Sequence, residues 1–337
     1  MRIRDDTMDD RSKVLAVIAA LIILISGIAV AVSLTHSDQD DGITIGVTWR
    51  PNESAESYVN TFRSIEAAGA IPVRLGQVFS YDLSYDGSGK LLEGIDENGA
   101  LDSHAADIVK EDTWHNSNVE EMMDSIDFVV FPGGDDISYN LYRNPQEWGG
   151  TEEDKVFEPE RDVSDYICMT YCLDKDIPLV AVCRGMQMLA VVSGAEMIQD
   201  IPEYFEEHSA EYHYEHRNQR LSPDAYRDYA SHDVTIDKGS RIYEVMGTET
   251  VSKVPSWHHQ AVLDVKGTPL KVTGRTYTDG IEIIESLERT DKTCAFGIQY
   301  HPEAAVVKHL DDYPNRYDYM DYQSAIALFE WIVNYRL

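Results

Sequence analysis

Short apolar runs rich in β-branched residues alternate along this chain with segments of helical periodicity. Residues 43–49 (ITIGVTW) predict a first strand, residues 54–70 have helical spacing, and residues 71–75 (IPVRL) predict a second strand. A β-α-β order of this kind is typical of a parallel sheet that is covered by helices on both faces. We therefore expect an α/β domain with a mostly parallel central sheet.

The same alternation continues further along the chain. Residues 127–134 (DFVVFPGG) predict a strand that ends in a glycine pair, and residues 163–173 predict a helix. Residues 177–182 predict another strand, which is followed directly by a helix over residues 185–192. Residues 79–115 are rich in Asp, Gly and Ser and interrupt the pattern, so we expect an inserted flap or hairpin there.

The N-terminal region contains an apolar run over residues 14–32 that only Ser26 and Gly27 interrupt. About 20 apolar residues span a bilayer as a helix. Four Lys or Arg residues precede the run, and none follows before Arg50, which predicts a cytoplasmic N-terminus. We expect a cytoplasmic tail (1–13), a transmembrane signal anchor (14–34), a linker (35–42) and an extracytoplasmic hydrolase domain (43–337) on the cell membrane. Cleavage as a signal peptide near residues 31–33, which would give a secreted domain, stays open.

Composition narrows the function classes. The formal net charge is −32, from 60 acidic and 28 basic residues, so the surface repels phosphate backbones and we expect no nucleic-acid partner. The 4 cysteines are too few for a disulfide scaffold in 337 residues. Cys168 and Cys172 lack zinc-site spacing and would share one helix face, so we interpret them as buried core thiols.

Cys183 lies where a predicted strand becomes a predicted helix, in the segment Ala181-Val182-Cys183-Arg184-Gly185. Small residues on both sides of such a position permit the tight turn that presents a nucleophile. A helix N-terminus also favours the thiolate form, and the carboxyl ends of parallel strands are where such sheets bind ligands. The pattern alone fits a buried, inert cysteine equally well.

Two further segments favour a catalytic cysteine. In GIQYHPE (297–303), His301 and Glu303 are two residues apart, so both side chains of an extended segment would face the same way. A cysteine nucleophile needs such a base and an orienting partner for that base. The glycine pair of FPGGDD (131–136) suits an oxyanion hole, with one backbone N–H from Gly134 and one from Arg184.

Seven segments together resemble the class I glutamine amidotransferase-like superfamily, and within it the γ-glutamyl-γ-aminobutyrate hydrolase group of cysteine peptidases. They are FPGGDDISY (131–139), PERD (159–162), VCRGMQML (182–189), GAEMIQDI (194–201), SWHHQAV (256–262), DGIEIIE (279–285) and GIQYHPE (297–303). The resemblance implies a flavodoxin-like fold with Cys183 as nucleophile, His301 as base and Glu303 as its orienting carboxylate. It also implies that Gln187 contacts the glutamyl group.

The resemblance places the substrate-side residues at His258, His259 and Gln260 and implies no cofactor and no metal. His208, His213 and His216 could ligate a metal, but their spacing favours a mobile polar loop over the pocket. We interpret His232 as a residue that fixes a strand or loop.

The function that follows is hydrolysis of γ-glutamyl amide bonds of a small-molecule substrate, through a γ-glutamyl thioester and with release of glutamate. Two alternatives stay open: a catalytically silent, membrane-anchored binding domain, and a glutaminase subunit that supplies ammonia to a partner synthetase. The sequence leaves open which γ-glutamyl substrate is used and whether the chain forms a homodimer.

Overall fold

The computed structural model describes residues 43–145, 148–150, 155–222 and 226–336. The predicted cytoplasmic tail, transmembrane anchor and linker lie outside the described residues. Within the described ranges, no helix combines the length and the apolar character that crossing a membrane requires.

A nine-stranded sheet forms the centre of the domain, in the order β2-β1-β3-β4-β11-β10-β9-β6-β7. The first five strands of this order run parallel to one another, and the remaining four continue the sheet in antiparallel fashion. The strands of the sheet are β1 (Ile45–Val47), β2 (Val73–Arg74), β3 (Phe128–Phe131), β4 (Leu179–Val182), β6 (Ala230–Ile236), β7 (Thr250–Ser256), β9 (Leu270–Thr278), β10 (Ile281–Arg289) and β11 (Ala295–Ile298). A separate pair consists of β5 (Glu196–Ile198) and β8 (Ala261–Asp264).

Helices cover both faces of the sheet. The helices are α1 (Glu56–Ala67), α2 (Ser103–Asp112), α3 (Val119–Met122), α4 (Pro159–Lys175), α5 (Arg184–Val192), α6 (Ile201–Glu207), α7 (Arg241–Met246), α8 (Pro302–Leu310) and α9 (Tyr322–Val333). Buried side chains of α2, α4 and α5 pack in one apolar cluster, and those of α1, α8 and α9 pack in a second. The α/β architecture with helices on both faces agrees with the prediction.

The difference between the two halves of the sheet follows from the sequence. Strands β1, β3, β4 and β11 are buried at every position because helices cover both of their sides. Strand β6 alternates buried and exposed residues towards its end, as expected of an antiparallel strand with one solvated face. Five of the nine strands run parallel, as predicted. The antiparallel half of the sheet was not predicted.

Residues 79–115 contain two small hairpin turns, closed by the antiparallel bridges Tyr85–Leu91 and Ile95–Leu101, but they do not form a flap apart from the core. Leu91, Ala100 and Leu101 are buried in the core cluster on the α2 side, together with residues of α2 itself. The Asp- and Gly-rich stretches form two tight turns in which the carboxylates of Asp86 and Asp96 accept backbone hydrogen bonds. Polar turn residues therefore alternate with buried apolar ones, and the segment belongs to the core.

Candidate active site

Cys183 stands alone between the end of β4 and the start of α5, in the turn that the sequence predicts. Its φ is 50° and its ψ is −107°, a left-handed conformation that is strained for a residue with a Cβ. The backbone N–H of Cys183 donates to the carbonyl of Ile298 over 2.8 Å. A Cβ at Gly185 would lie 2.8 Å from Phe131 Cβ and would overlap the Phe131 carbonyl oxygen, so this turn requires glycine.

His301 and Glu303 meet at the start of α8. His301 directly precedes the helix, Glu303 lies in its first turn, and Nδ1 of His301 is 2.6 Å from Oε1 of Glu303. Both side chains are buried. The backbone turns into a helix at Pro302 instead of remaining extended, but the predicted side-chain contact is present. The helix N-terminus adds a favourable field for the Glu303 carboxylate.

Strand pairing brings His301 to Cys183. Strands β4 and β11 are parallel neighbours in which Val182 pairs with Ile298, so the residues after both strands emerge at the same end of the sheet. A Cβ at Gly133 would lie 2.8 Å from His301 Cε1 and 3.6 Å from Cys183 Cβ, which shows that both side chains pack around this glycine.

The protonation of His301 is set by its two partners. Burial by itself would lower the pKa of His301, but the charges of Cys183 and Glu303 and hydrogen bonds to both raise this pKa well above its usual value. Because Nδ1 donates to Glu303, Nε2 is the ring nitrogen that can exchange a proton with Cys183 or a substrate. The arrangement therefore favours an imidazolium next to the sulfur.

The Arg184 side chain points away from the cleft into a buried ionic network. Its guanidinium pairs with Asp162 Oδ1 at 2.5 Å and with the carboxylate of Asp165, and all three side chains are fully buried. Arg184, the residue after the cysteine, is therefore anchored to α4. This helix begins at Pro159, whereas the sequence predicted a start near residue 163. The backbone N–H of Arg184 is at the first position of α5, where helix N–H groups have no partner within the helix.

Arg161 fixes the glycine loop on the other side of the cleft. Its guanidinium donates to the carbonyls of Pro132 (2.9 Å) and Gly133 (3.1 Å) and pairs with Asp165 at 3.1 Å. A Cβ at Gly134 would lie 3.0 Å from Arg184 Cδ and would overlap the Arg161 guanidinium. The two buried arginines thus hold both predicted oxyanion-hole residues in place.

One cleft contains Cys183, Gly134 and all four predicted substrate-side residues. Its lining includes Gln187, His258, His259 and Gln260, and also Asp136, Arg217 and Trp257, which sequence reasoning missed. Asp136 belongs to the FPGGDD segment and could have been noticed there. Trp257 belongs to the SWHHQAV segment and could likewise have been noticed there, whereas Arg217 carries no local signal of a site.

His259 is held between two carboxylates in this cleft. Its Nε2 is 2.9 Å from Asp136 Oδ1, and its Nδ1 is 3.2 Å from Asp200 Oδ2. Burial acts to lower the pKa of His259, but Asp136 and Asp200 outweigh it and raise the pKa to about 9. His259 is therefore a buried cation at neutral pH.

Two glutamines supply amide groups to the cleft. Gln187 Nε2 donates to the Gln260 carbonyl over 3.1 Å and to Gln299 Oε1 over 3.3 Å. The side-chain amide of Gln260 is buried, and neither its oxygen nor its nitrogen has a hydrogen-bond partner. A polar ligand in the cleft would satisfy it.

A second cavity, of about 220 Å³, adjoins the cleft at Gly134, Asp135 and Trp257. His301 lines this cavity, together with Arg50, Glu56, Ser57, Arg227 and Tyr229. The Cys183 cleft and this cavity therefore provide two spaces next to the cysteine–histidine pair.

The histidines of residues 208–216 do not act as one group. His208 and His213 are exposed, which fits the predicted polar loop, whereas His216 is wholly buried. The loop interpretation is therefore wrong for His216. Its ring packs against those of His232 and His258, with centroids 4.6 Å and 4.9 Å away.

The family match and the named relatives support a glutamine amidotransferase-like hydrolase. The chain belongs to the Peptidase C26 family, whose model matches residues 107–303. The family that the sequence motifs predicted is thereby confirmed.

Named relatives agree with this assignment. The chain is 32% identical over 183 residues to Protein NtpR of Enterococcus hirae, a match that covers 54% of this chain and 68% of that protein. It is 27% identical over 188 residues to the gamma-glutamyl-gamma-aminobutyrate hydrolase PuuD of Escherichia coli, over 56% of this chain and 68% of PuuD. A glutamine amidotransferase structure from Thermotoga maritima aligns with a TM-score of 0.44 and 13% identity, over 88% of this chain and all (100%) of that one.

Proposed function

We propose that this protein hydrolyses γ-glutamyl amide bonds, with Cys183 as nucleophile, His301 as general acid and base, and Glu303 as the carboxylate that orients His301. The observation that supports this most directly is Cys183, held at a positive φ next to a histidine that a buried carboxylate fixes at 2.6 Å. A structural cysteine needs neither the strained turn nor the paired base.

The proposed reaction has two steps. The Cys183 thiolate attacks the γ-carbonyl carbon, and the backbone N–H groups of Gly134 and Arg184 stabilise the oxyanion. The His301 imidazolium then gives its proton to the leaving amine, which leaves a γ-glutamyl thioester on Cys183. Neutral His301 takes a proton from water, the resulting hydroxide cleaves the thioester, and glutamate and the Cys183 thiolate are released.

We assign the glutamyl group to the Cys183 cleft on the basis of the polar groups that line it. The amide of Gln260 and the charged pair of His259 with Asp136 could bind an amino-acid head group by hydrogen bonds and by charge. The cavity of about 220 Å³ beside His301 would then receive the leaving amine, because the proton donor lines it. This assignment gives His301 access to the bond that breaks.

We also propose that residues 14–34 anchor the protein in the cell membrane with the hydrolase domain outside the cytoplasm. The support is the apolar run and the basic residues that precede it. An enzyme in that location would meet γ-glutamyl peptides and cell-wall peptides, so both classes belong in a substrate screen.

The test is glutamate release by the purified full-length chain in detergent. The panel contains γ-glutamyl amines, γ-glutamyl peptides, glutamine and muropeptides. Cys183→Ala is the variant, and Cys294→Ala is the matched control because Cys294 is also buried but lies outside the cleft. We expect release that Cys183→Ala abolishes and Cys294→Ala retains.

Two other outcomes would change the assignment. If a folded chain releases no glutamate from any member of the panel, the protein is a silent binding domain. If only glutamine is cleaved, and only with a co-purified partner chain, the protein is a glutaminase subunit.

A further inference from the structure

Three histidines from distant parts of the chain converge on one buried glutamate. His216 follows α6, His232 lies on β6, His258 follows β7, and Glu285 lies on β10. Glu285 Oε1 is 3.2 Å from His216 Nδ1, 3.2 Å from His232 Nε2 and 3.6 Å from His258 Nε2. One donor atom from each of the four residues lies within 4.8 Å of all the others.

Hydrogen bonds within the group do not satisfy its polar atoms. Both ring nitrogens of His216, Nδ1 of His232, Nε2 of His258 and Oε2 of Glu285 are buried and lack a hydrogen-bond partner. Buried polar atoms are rarely left unpaired, so several of them in one place are suited to bind an ion or water. Of the three imidazoles, only that of His232 makes a hydrogen bond to Glu285 Oε1, although each has a nitrogen within 3.6 Å of that oxygen.

The hydrogen bond of His258 turns one ring nitrogen toward Glu285. Its Nδ1 is 2.9 Å from the Gln260 carbonyl oxygen, which can only accept, so Nδ1 carries a proton. Its Nε2 is 3.6 Å from Glu285 Oε1, is buried and makes no hydrogen bond. This nitrogen is therefore placed to ligate a cation that Glu285 also binds.

We propose that His216, His232, His258 and Glu285 bind one zinc ion. Imidazole nitrogen and carboxylate oxygen are zinc ligands, whereas Ca²⁺ and Mg²⁺ need more oxygen ligands than one carboxylate supplies. A Gln260 carbonyl that accepts from a ligating histidine is the usual outer partner of such a site.

The geometry needs only a small contraction. Zinc bonds of about 2.0–2.1 Å place tetrahedral ligand atoms about 3.3 Å apart. The donor atoms here lie within 4.8 Å of one another, so side-chain rotations can bring them to bonding distance. Four protein ligands complete a tetrahedron, which is typical of a structural site rather than a catalytic one. The zinc ion is thus separate from the proposed hydrolysis, and its binding does not depend on that proposal.

The zinc ion would fasten the wall of the Cys183 cleft. The carbonyl of His216 accepts hydrogen bonds from His258 N–H (3.0 Å) and Ser256 Oγ (2.8 Å), so the segment before β6 already lies on this part of the sheet. Arg217 and His259, the next residues in the chain after two of the ligands, line the cleft. Loss of zinc would therefore loosen the segment that carries Arg217.

The experiment is metal analysis of the full-length chain, purified with a tag that contains no histidine. We expect about one zinc ion per chain by mass spectrometry, and a visible four-coordinate Co²⁺ spectrum when chelator-stripped protein is titrated with Co²⁺. His216→Asn and Glu285→Gln should each abolish the bound metal and the spectrum. His213→Asn is the matched control, because His213 is exposed and lies outside the cluster. His216→Asn keeps the test valid if Glu285→Gln fails to fold.

Trypsin provides a second measurement. Arg217 and Arg220 are cleavage sites in the segment that His216 would fasten. The stripped chain should be cut there faster than the zinc-loaded chain, and Zn²⁺ should restore protection.

The proposal is overturned if the stripped, folded chain binds neither Zn²⁺ nor Co²⁺ and gains no protection. Retention of the metal in both His216→Asn and Glu285→Gln would also overturn it, because the ion would then occupy another place.

Discussion

Adding one methyl group at Gly133 tests the contact between His301 and Cys183. In Gly133→Ala the new Cβ would lie 2.8 Å from His301 Cε1, whereas ordinary contacts begin near 3.4 Å. The imidazole must therefore retreat by about 0.6 Å. Gly133 is not among the residues with positive φ, so the backbone itself accepts alanine without strain.

The expected loss is in catalysis rather than in folding. Misplacement of a catalytic group by about 1 Å can cost about 100-fold in rate, so we expect kcat/KM to fall about 10- to 100-fold. Overpacking costs about 1–3 kcal/mol of stability. Replacing glycine by alanine stabilises the folded protein by about 0.4–1 kcal/mol, because it reduces the conformational entropy of the unfolded chain. The free energy of unfolding should therefore fall by at most about 2–3 kcal/mol.

Two assays are needed because the natural substrate is not defined. Alkylation of Cys183 by iodoacetamide at neutral pH reports the imidazolium next to the sulfur without any substrate. Glutamate release from the best member of the substrate panel reports the full reaction. Gly87→Ala is the control, since a Cβ at Gly87 would meet nothing within 4 Å.

A folded Gly133→Ala protein whose alkylation and turnover stay within about threefold of the parent chain would refute the reasoning. His301 would then not be held against Gly133 and Cys183. A parallel loss in Gly87→Ala would show that the effect is not specific to the site.

Three further predictions concern stability. Gly185→Ala should lower the free energy of unfolding by about 1–3 kcal/mol in urea titrations, because the added Cβ overlaps a backbone carbonyl; an unchanged midpoint would contradict this. Asp165→Asn should cost about 3–5 kcal/mol in the same assay, because two buried arginines lose their shared carboxylate; a loss below about 1 kcal/mol would show that the network is not stabilising. The pKa of His259 is raised to about 9. Its charge therefore contributes stability that is fully present below about pH 6.5 and is lost as the pH rises through about 9. The difference in melting temperature between the parent chain and His259→Asn should shrink over that range, and a constant difference would contradict the raised pKa.

The sequence predicted the parts of the protein that depend on local patterns. The strand before Cys183, the turn at Gly185 and the helix that follows are all encoded within about 15 neighbouring residues. The contact of His301 with Glu303 was also predictable, because these residues are two apart. Their assembly in one cleft with His258 and His259 was predicted only through the family resemblance.

The sequence did not predict features that depend on distant pairing. The zinc-site candidate joins His216, His232, His258 and Glu285, whose spacing matches no local metal motif. The antiparallel half of the sheet brings the last three together, and hydrogen bonds from Ser256 and His258 hold His216 beside them. Residues 79–115 look like a loop by composition, because polar turns separate the few apolar residues that enter the core. A pattern read along the chain does not reveal which strand will lie beside which.

The pairing of β4 with β11 has a consequence for when the protein becomes active. Cys183 leaves β4 and His301 follows β11, so the ribosome makes the cysteine more than a hundred residues before its base. Long-range strand pairing of this kind forms late in folding. Until β11 docks beside β4, Cys183 lacks the His301 imidazole that would activate it. The pairing of Val182 with Ile298 therefore completes the proposed cysteine–histidine pair only after the chain has been made through β11 and has folded.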